Sequence, residues 1–290
     1  MKKRLLSIFL CLCMVFGLVP ATVWAETTNG HTHYLCGGIT CNGSGHENET
    51  YKTTFEKEIK QVSGTLYIDN IEWTVSSYGN YTLPAGAYYL STDLTPDYMI
   101  QTNGSVTLCL NGHSITANHD GDVIAANSGV TFTLTDCKDG NSNAAFGKIT
   151  HASGKDGRGV YVFNRSTTFN MYGGSIADNN MVTDDYVGND EIGGGVYIAD
   201  DGATFNMYGG TICGNTAGSS GGGVYMGEKT NFNMYGGAIC GNTATRNFGG
   251  GVCAYKSSKF YMSGGEIGDN GTRCGGGVFV GDNSTFTMTG

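Results

Sequence analysis

One short unit recurs through the second half of the chain and constrains the fold more than any other feature. It consists of three glycines and a valine, a short stretch, and then Phe-x-Met-x-Gly-Gly-x-Ile-x-x-Asn. Its phenylalanines are separated by 36, 27, 28 and 26 residues, at Phe169, Phe205, Phe232, Phe260 and Phe286. A repeat of this length predicts a stacked, quasi-linear architecture rather than a globule around one centre.

Residue alternation within the unit predicts short strands. Phe205 and Met207 would face one side while Asn206 and Tyr208 face the other. A Val-x-Met stretch repeats this alternation, and Ile212 provides a third inward position. Each unit should therefore hold about three short strands separated by glycine-rich bends. No part of it has the apolar spacing and caps of a helix.

Stacked units would place like residues above like, and parallel crossovers are nearly always right-handed. Asparagine side chains would hydrogen-bond from coil to coil in a structural ladder. The ladder residues are Asn179, Asn215, Asn242 and Asn270. The sequence thus predicts an all-β fold, a right-handed parallel β-helix of about eight coils.

The predicted organisation has three parts: a signal peptide at 1–25, a small N-terminal His/Cys segment and cap at 26–81, and the β-helix at 82–290. Early coils are degenerate, and 105–110 aligns with 129–134 at a spacing of 24. The chain stops in the middle of a unit, so we expect the helix to be truncated at its C-terminal end. Downstream modules or a partner would then cover the last coil.

The first 25 residues predict export. Lys2, Lys3 and Arg4 precede an apolar run at 5–19, which is too short for a membrane span, and small residues follow at the cleavage positions. Their removal takes away three positive charges and changes the net charge from −9 to −12. An acidic exported chain without a basic run argues against a nucleic-acid partner, and no transmembrane span is expected. The predicted location is secreted or on the bacterial cell surface.

Eight of the ten cysteines remain after removal of the signal. Disulfides form outside the cytoplasm. Cys213 and Cys240 occupy equivalent places in successive units, and stacking would put them about 4.8 Å apart. A bond between them and a pair of free thiols are both compatible with the sequence. Cys253 and Cys274 lie at different phases of the repeat, so a bond between them would need a favourable loop.

Two segments could hold metal ions. Residues 31–46 contain nitrogen and sulfur ligands that zinc accepts, namely His31, His33, Cys36, Cys41 and His46. The alternatives are a Cys36–Cys41 disulfide with exposed histidines, or a flexible segment without a site. The insertion around 178–191 is rich in carboxylates and could hold Ca²⁺, although a solvated loop has the same composition.

Outward tyrosines and the acidic insertion are the candidate binding residues. Tyr172, Tyr208 and Tyr235 should stack on an outer face, and Tyr197, Tyr225 and Phe279 should form a second outward row. Aligned aromatic side chains can pack against sugar rings or a partner protein, or simply stabilise the sheet. Asp184 and Asp185 lie in the insertion, where a binding loop would project from a rigid rod.

Several of these motifs together resemble a known protein family. They are His31-x-His33-x-x-Cys36, Leu-Cys-Leu-Asn-Gly-His at 108–113, Leu-Thr-Asp-Cys at 134–137 and the Phe-x-Met-x-Gly-Gly repeats. The chain resembles exported bacterial right-handed parallel β-helix repeat proteins over nearly all of its mature length. The resemblance implies a pectin-lyase-like fold and an adhesin-like surface protein. Members often carry wall-attachment modules after the helix, and this sequence has none.

Two functions follow as expectations. The first is an exported surface protein whose β-helix acts as an adhesive or structural rod that binds glycan or host protein. The alternative is a carbohydrate-active enzyme, a polysaccharide lyase or glycoside hydrolase, on the same fold. Hydrolysis or elimination would need paired carboxylates with a basic partner, and no such cluster is evident in the sequence. No catalytic residue is therefore predicted.

Overall fold

The computed structural model describes residues 31–34, 52–127, 129–136, 146–182, 191–199 and 201–289. Every regular element in these ranges is a β-strand, which confirms the all-β prediction. The first seven are β1 (His31–Tyr34), β2 (Lys52–Phe55), β3 (Lys57–Val62), β4 (Thr65–Ile68), β5 (Ile71–Glu72), β6 (Tyr81–Leu90) and β7 (Ile100–Cys109). Nothing in this part of the chain forms a helix long and apolar enough to span a bilayer.

Shorter strands follow, most of them three to five residues long. In chain order they are β8 (Ile115–Ala117), β9 (Ile124–Ala126), β10 (Thr131–Thr135), β11 (Lys148–His151), β12 (Val160–Val162), β13 (Thr168–Met171), β14 (Ser175–Ala177), β15 (Asn180–Met181), β16 (Val196–Ile198), β17 (Thr204–Met207), β18 (Thr211–Cys213) and β19 (Thr216–Ala217). The last nine are β20 (Val224–Met226), β21 (Asn231–Met234), β22 (Ala238–Cys240), β23 (Thr243–Ala244), β24 (Val252–Ala254), β25 (Lys259–Met262), β26 (Glu266–Gly268), β27 (Val278–Val280) and β28 (Thr285–Met288).

Strands of successive units pair in parallel and form rows. The phenylalanine row consists of β7, β10, β13, β17, β21, β25 and β28. The valine row consists of β9, β12, β16, β20, β24 and β27. The isoleucine row consists of β8, β11, β14, β18, β22 and β26. The two-residue strands β15, β19 and β23 add a fourth, shorter row to the three predicted.

The core consists of ladders of identical side chains. Phe205 and Phe232 pack with ring centroids 4.7 Å apart, as do Phe232 and Phe260, and both pairs are within 3° of parallel. Met207 and Met234 are fully buried beside them. Burial of a side chain of this size contributes about 1.5–3 kcal/mol. Because the strands pair in parallel and in register, each inward position forms a continuous hydrophobic column through the stacked units.

The glycine triplets are required where the chain turns into the valine row. Gly221 has a φ of +67°, which a residue with a Cβ adopts only with strain. A Cβ added to Gly223 would lie 2.6 Å from the carbonyl oxygen of Gly251 in the next unit. The close backbone approach between units therefore excludes any larger residue there.

The four predicted ladder asparagines are connected by hydrogen bonds. Nδ2 of Asn179, Asn215 and Asn242 donates to Oδ1 of the next asparagine along the chain, each at 2.9 Å. The same Oδ1 atoms accept the backbone N–H groups at 2.9–3.1 Å. Asn215 and Asn242 are fully buried, so these bonds satisfy polar atoms that water does not reach.

One predicted register is wrong. The expected spacing of 24 would pair Val106 with Val130, whereas the structure pairs Val106 with Phe132, a step of 26. A slip of two residues keeps the inward and outward faces unchanged, so alternation alone cannot detect it. Burial of Phe132 against Phe169 fixes the observed register.

Strands before residue 82 join the same sheet. β3, β4 and β5 form an antiparallel meander, and β3 pairs in parallel with β6. Ile59, Leu66 and Trp73 from this region are buried in the hydrophobic core. The long strand β7 pairs with β9 at Ile100 and with β10 further along. The valine and phenylalanine rows are therefore continuous at β7.

A disulfide joins Cys213 and Cys240 across two adjacent strands of the isoleucine row, with Cα atoms 4.7 Å apart. Of the two alternatives that the sequence left open, the structure has the bonded one. Cys253 and Cys274 both carry free thiols, the first buried and the second exposed. The favourable loop that a bond between them would need is therefore not formed.

Candidate functional site

The outward side of the valine row carries a series of aromatic residues. Tyr161, Tyr197 and Tyr225 are paired in register on β12, β16 and β20. The next residue of this row is Cys253, which separates Tyr225 from Phe279. The predicted row of Tyr197, Tyr225 and Phe279 is therefore interrupted, and the ring of Phe279 stacks on Phe248 at 4.2 Å instead.

A groove of about 860 Å³ lies over this part of the valine row. Its lining includes the row residues Tyr197, Tyr225 and Cys253. Residues from the segments before and after the strands complete the lining, among them Ile192, Ser219, Ser220, Asn247, Phe248, Asn164, Arg165, Asp201, Glu228, Lys229, Tyr255 and Lys256. Its size is typical of a site for a small or elongated ligand.

Cys253 makes room for the groove because its side chain is much smaller than tyrosine. The residue is almost fully buried, and burial raises the pKa of its thiol to about 12. The side chain therefore stays a neutral thiol at physiological pH, and thiols are far weaker nucleophiles than thiolates. Cys253 shapes the groove without contributing a nucleophile.

The tyrosine stack changes direction at the groove. Tyr161 and Tyr197 are stacked, 5.2 Å apart with 19° between their planes. Tyr197 and Tyr225 are 5.5 Å apart but 73° from parallel, an edge-to-face pair. Burial raises the pKa of Tyr225, so its hydroxyl keeps its proton and can donate a hydrogen bond. This part of the row thus offers an aromatic surface with a polar edge.

Charged and polar groups surround the aromatic lining. Nζ of Lys229 lies 3.0 Å from Oε1 of Glu228 and 3.9 Å from Oδ2 of Asp201. The hydrogen bond from Lys229 lowers the pKa of Glu228, which keeps this carboxyl ionised as an acceptor. Nδ2 of Asn247 donates to Oγ of Ser219 at 2.9 Å. Acceptors and donors are therefore mixed along the groove, as recognition of hydroxyl-rich ligands requires.

Tyr172, Tyr208 and Tyr235 lie outside this groove, directly after β13, β17 and β21. Their rings stack at 4.5 Å and 5.0 Å, with 11° and 15° between planes. Both faces of the middle ring, Tyr208, are thus covered by its neighbours, so this ring offers a partner only its edge and its hydroxyl. This geometry is typical of an aromatic ladder that stabilises the sheet.

The remaining predicted site residues are largely outside the described part of the chain. Cys36, Cys41, His46, Asp184 and Asp185 are not described, and only the backbone of His31 and His33 is. At the edges of the acidic insertion, Asp178 is 3.2 Å from Nζ of Lys148, and the buried carboxylate of Glu191 contacts Arg246. In the described ranges, no group of three or more His, Cys, Asp or Glu side chains is placed to hold a metal ion.

The groove residues that sequence reasoning missed share one signal. Units that read Val-Tyr-Ile and Val-Tyr-Met are followed by Val252-Cys253-Ala254, so the departure from the repeat marks the site. Phe248 and Tyr255 flank this departure.

Comparisons with protein-family models, curated proteins and solved structures found no match to the chain.

Proposed function

We propose that the chain is an exported bacterial surface protein in which a right-handed parallel β-helix of about eight coils forms a rod that binds glycan. The parallel rows with steps of 26–36 residues support the coil arrangement. Right-handedness follows from the general preference of parallel crossovers. The resemblance to exported β-helix repeat proteins and the signal-like residues 1–25 support export to the cell surface.

The aromatic groove over the valine row is the observation that carries the binding function. Sugars bind to proteins through apolar ring faces and through hydroxyls that donate and accept hydrogen bonds. Tyr197, Tyr225 and Phe248 supply aromatic surface, while Asn247 and Glu228 supply amide and carboxylate partners. A concave site of this size suits an oligosaccharide better than the face of a host protein, which usually needs about 800 Å² of surface.

Binding is favoured over catalysis by the state of the groove's charged groups. A glycosidase needs a carboxylic acid whose pKa is raised so that it can donate a proton. In Glu228, the hydrogen bond from Lys229 lowers the pKa. Glu228 is therefore suited to accept a hydrogen bond from a glycan rather than to act as the general acid of a glycosidase.

The test is to titrate the purified full chain with neutral hexasaccharides, such as cellohexaose and xylohexaose, and with acidic ones, such as hexagalacturonate. Calorimetry should detect binding of at least one of them, and Tyr225→Ala should weaken it about tenfold. The matched control is Tyr208→Ala, which removes a tyrosine from the ladder outside the groove and should leave the affinity unchanged. Equal losses in the two variants, or no binding to any glycan, would refute the proposal.

Product analysis in the same experiment separates binding from turnover. Each hexasaccharide is incubated with the protein and the mixture is separated by chromatography. Unchanged hexasaccharide is the expected result. Shorter or unsaturated products would instead support the carbohydrate-active-enzyme alternative.

A further inference from the structure

Arg158 connects three parts of the molecule at the N-terminal end of the groove. Its Nε donates to the carbonyl oxygen of Ile192 at 2.8 Å, and Ile192 lines the groove. The guanidinium lies 5.5 Å from the ring centre of Tyr161 and 5.1 Å from that of Tyr197. Its Nη1 is 3.2 Å from Oδ1 of Asp122. One side chain thus contacts a lining backbone segment, two stacked tyrosines and a carboxylate.

The repeat shows that this arginine is a local departure. It stands between Gly157 and Gly159, in the tripeptide that precedes Val160, and takes the place of the middle glycine of the triplets. The equivalent positions in the next three units are Gly194, Gly222 and Gly250. The unit at the N-terminal end of the groove therefore has a cation over its tyrosines where the later units have glycine. The ring geometry changes along the row as well. Tyr161 and Tyr197, which both contact Arg158, are stacked, whereas Tyr197 and Tyr225 form an edge-to-face pair.

Asp122 and Arg158 are buried to a similar extent, with 13% and 14% of their side chains exposed. Burial raises the pKa of Asp122, while Arg158, His151 and His119 act in the opposite direction. The ring of His151 is fixed by contacts of 2.8 Å with Oδ1 of Asn179 and with the carbonyl oxygen of Gly121. Further out in the same loops, Asp120 is 3.9 Å from Lys155.

We propose that Arg158 is a positioning residue for the groove and that the charge of Asp122 holds it in place, so that acidification weakens glycan binding. A planar guanidinium can stack on the tyrosine rings and bond to Asp122 and Ile192 at once. Loss of the carboxylate charge removes the ion pair and frees the arginine to leave the rings. Tyr197 and the Ile192 segment then lose the group that fixes them relative to each other. The inference rests on the proposed glycan-binding function.

The experiment compares affinity between about pH 8 and about pH 4. The probe is the hexasaccharide that binds most tightly in the calorimetric panel. Wild-type affinity should fall about tenfold on acidification. Asp122→Asn should bind weakly at every pH. Arg158→Lys should also bind weakly, because an ammonium does not stack on the rings. Asp120→Asn, which changes an exposed carboxylate in the same loop, should keep the wild-type pH profile. A wild-type profile in Asp122→Asn would overturn the proposal.

A second readout needs no ligand. In wild-type protein with ¹³C-labelled tyrosine, the ring resonances of Tyr161 and Tyr197 should move on acidification, and those of Tyr208 should not. In Asp122→Asn this movement should be absent. That result would distinguish the titration of Asp122 from the titration of the nearby His119 and His151. Resonances of Tyr161 and Tyr197 that stay fixed in the wild type would overturn the proposal. If no glycan binds, the proposed function fails, while these resonances still decide whether Asp122 positions Arg158.

Discussion

Cys253 is paired in register with Tyr225 on the neighbouring strand of the valine row, and the outward tyrosines end between these two residues. A small side chain thus stands where the three preceding units have a tyrosine, and this departure from the repeat lies in the lining of the groove.

Filling that place should close the groove. In Cys253→Tyr, the larger ring must be accommodated at a position that is 1% exposed, so we expect a loss of about 1–3 kcal/mol in stability, and binding is compared at a temperature where circular dichroism shows the variant folded. Glycan affinity should fall at least about tenfold, because the ring occupies the space of the ligand. Cys253→Ala is the control and should bind normally, since the smaller side chain leaves the groove open. Normal binding by Cys253→Tyr would show that the ligand lies elsewhere.

The buried asparagine ladder should contribute strongly to stability. Asn215→Ala leaves the backbone N–H of Asn179 and the carbonyl of Ile176 without their partner in a site that is fully buried. We expect a loss of about 2–4 kcal/mol in the free energy of unfolding, measured by denaturant titration. Asn206→Ala, in the partly exposed outer ladder, should cost no more than about 1 kcal/mol. Similar costs for both would contradict the importance of burial.

The hydrophobic ladder gives a sharper contrast between neighbouring residues. Met234→Asp places a charge at a fully buried position and should unfold the adjacent units. Asn233→Asp loses the 2.8 Å hydrogen bond to Asn206 at a partly exposed position, and should cost only about 1 kcal/mol. Circular dichroism during denaturant titration measures both. Equal tolerance of the two changes would invert the assigned inward and outward faces.

The disulfide should stabilise the isoleucine row. Cys213 and Cys240 close a loop with a sequence separation of 27, and loss of such a bond costs about 3.5 kcal/mol in the chain-entropy treatment. Reduction with dithiothreitol should lower the denaturant midpoint of the wild type. The double variant Cys213→Ser, Cys240→Ser should start at the lower midpoint and not respond to the reductant. If dithiothreitol lowered the midpoint of the double variant by the same amount, the shift would come from a different disulfide.

Asp122 should give stability an unusual pH dependence. Its pKa is raised by burial in the folded state, so the folded protein binds this proton more tightly than the unfolded chain does. Its contribution to stability is therefore complete below the unfolded pKa of about 3.9 and is lost as the pH rises through the folded value. The stability of the wild type relative to Asp122→Asn should thus increase on acidification. A difference that is constant with pH would contradict the raised pKa.

The sequence predicted the core well because each unit repeats it. Phe205, Met207 and Ile212 fall at fixed distances from the glycines, so their inward direction and stacking follow from periodicity alone. The register of Val106 could not be predicted because a slip of two residues leaves the alternation intact. The groove was missed for the opposite reason. Periodicity describes what units share, whereas Arg158 and Cys253 matter because they differ from the unit.

The asparagine ladder also has a direction. Between the asparagines, every hydrogen bond runs from Nδ2 of one unit to Oδ1 of the next unit towards the C-terminus. Nδ2 also donates to an isoleucine carbonyl of the preceding unit, so each unit offers its neighbours the same donors and acceptors. A unit duplicated or deleted within the ladder would leave no unmatched amide at the junction. The molecule can therefore change length in whole units during evolution, while the local hydrogen-bonding pattern stays the same.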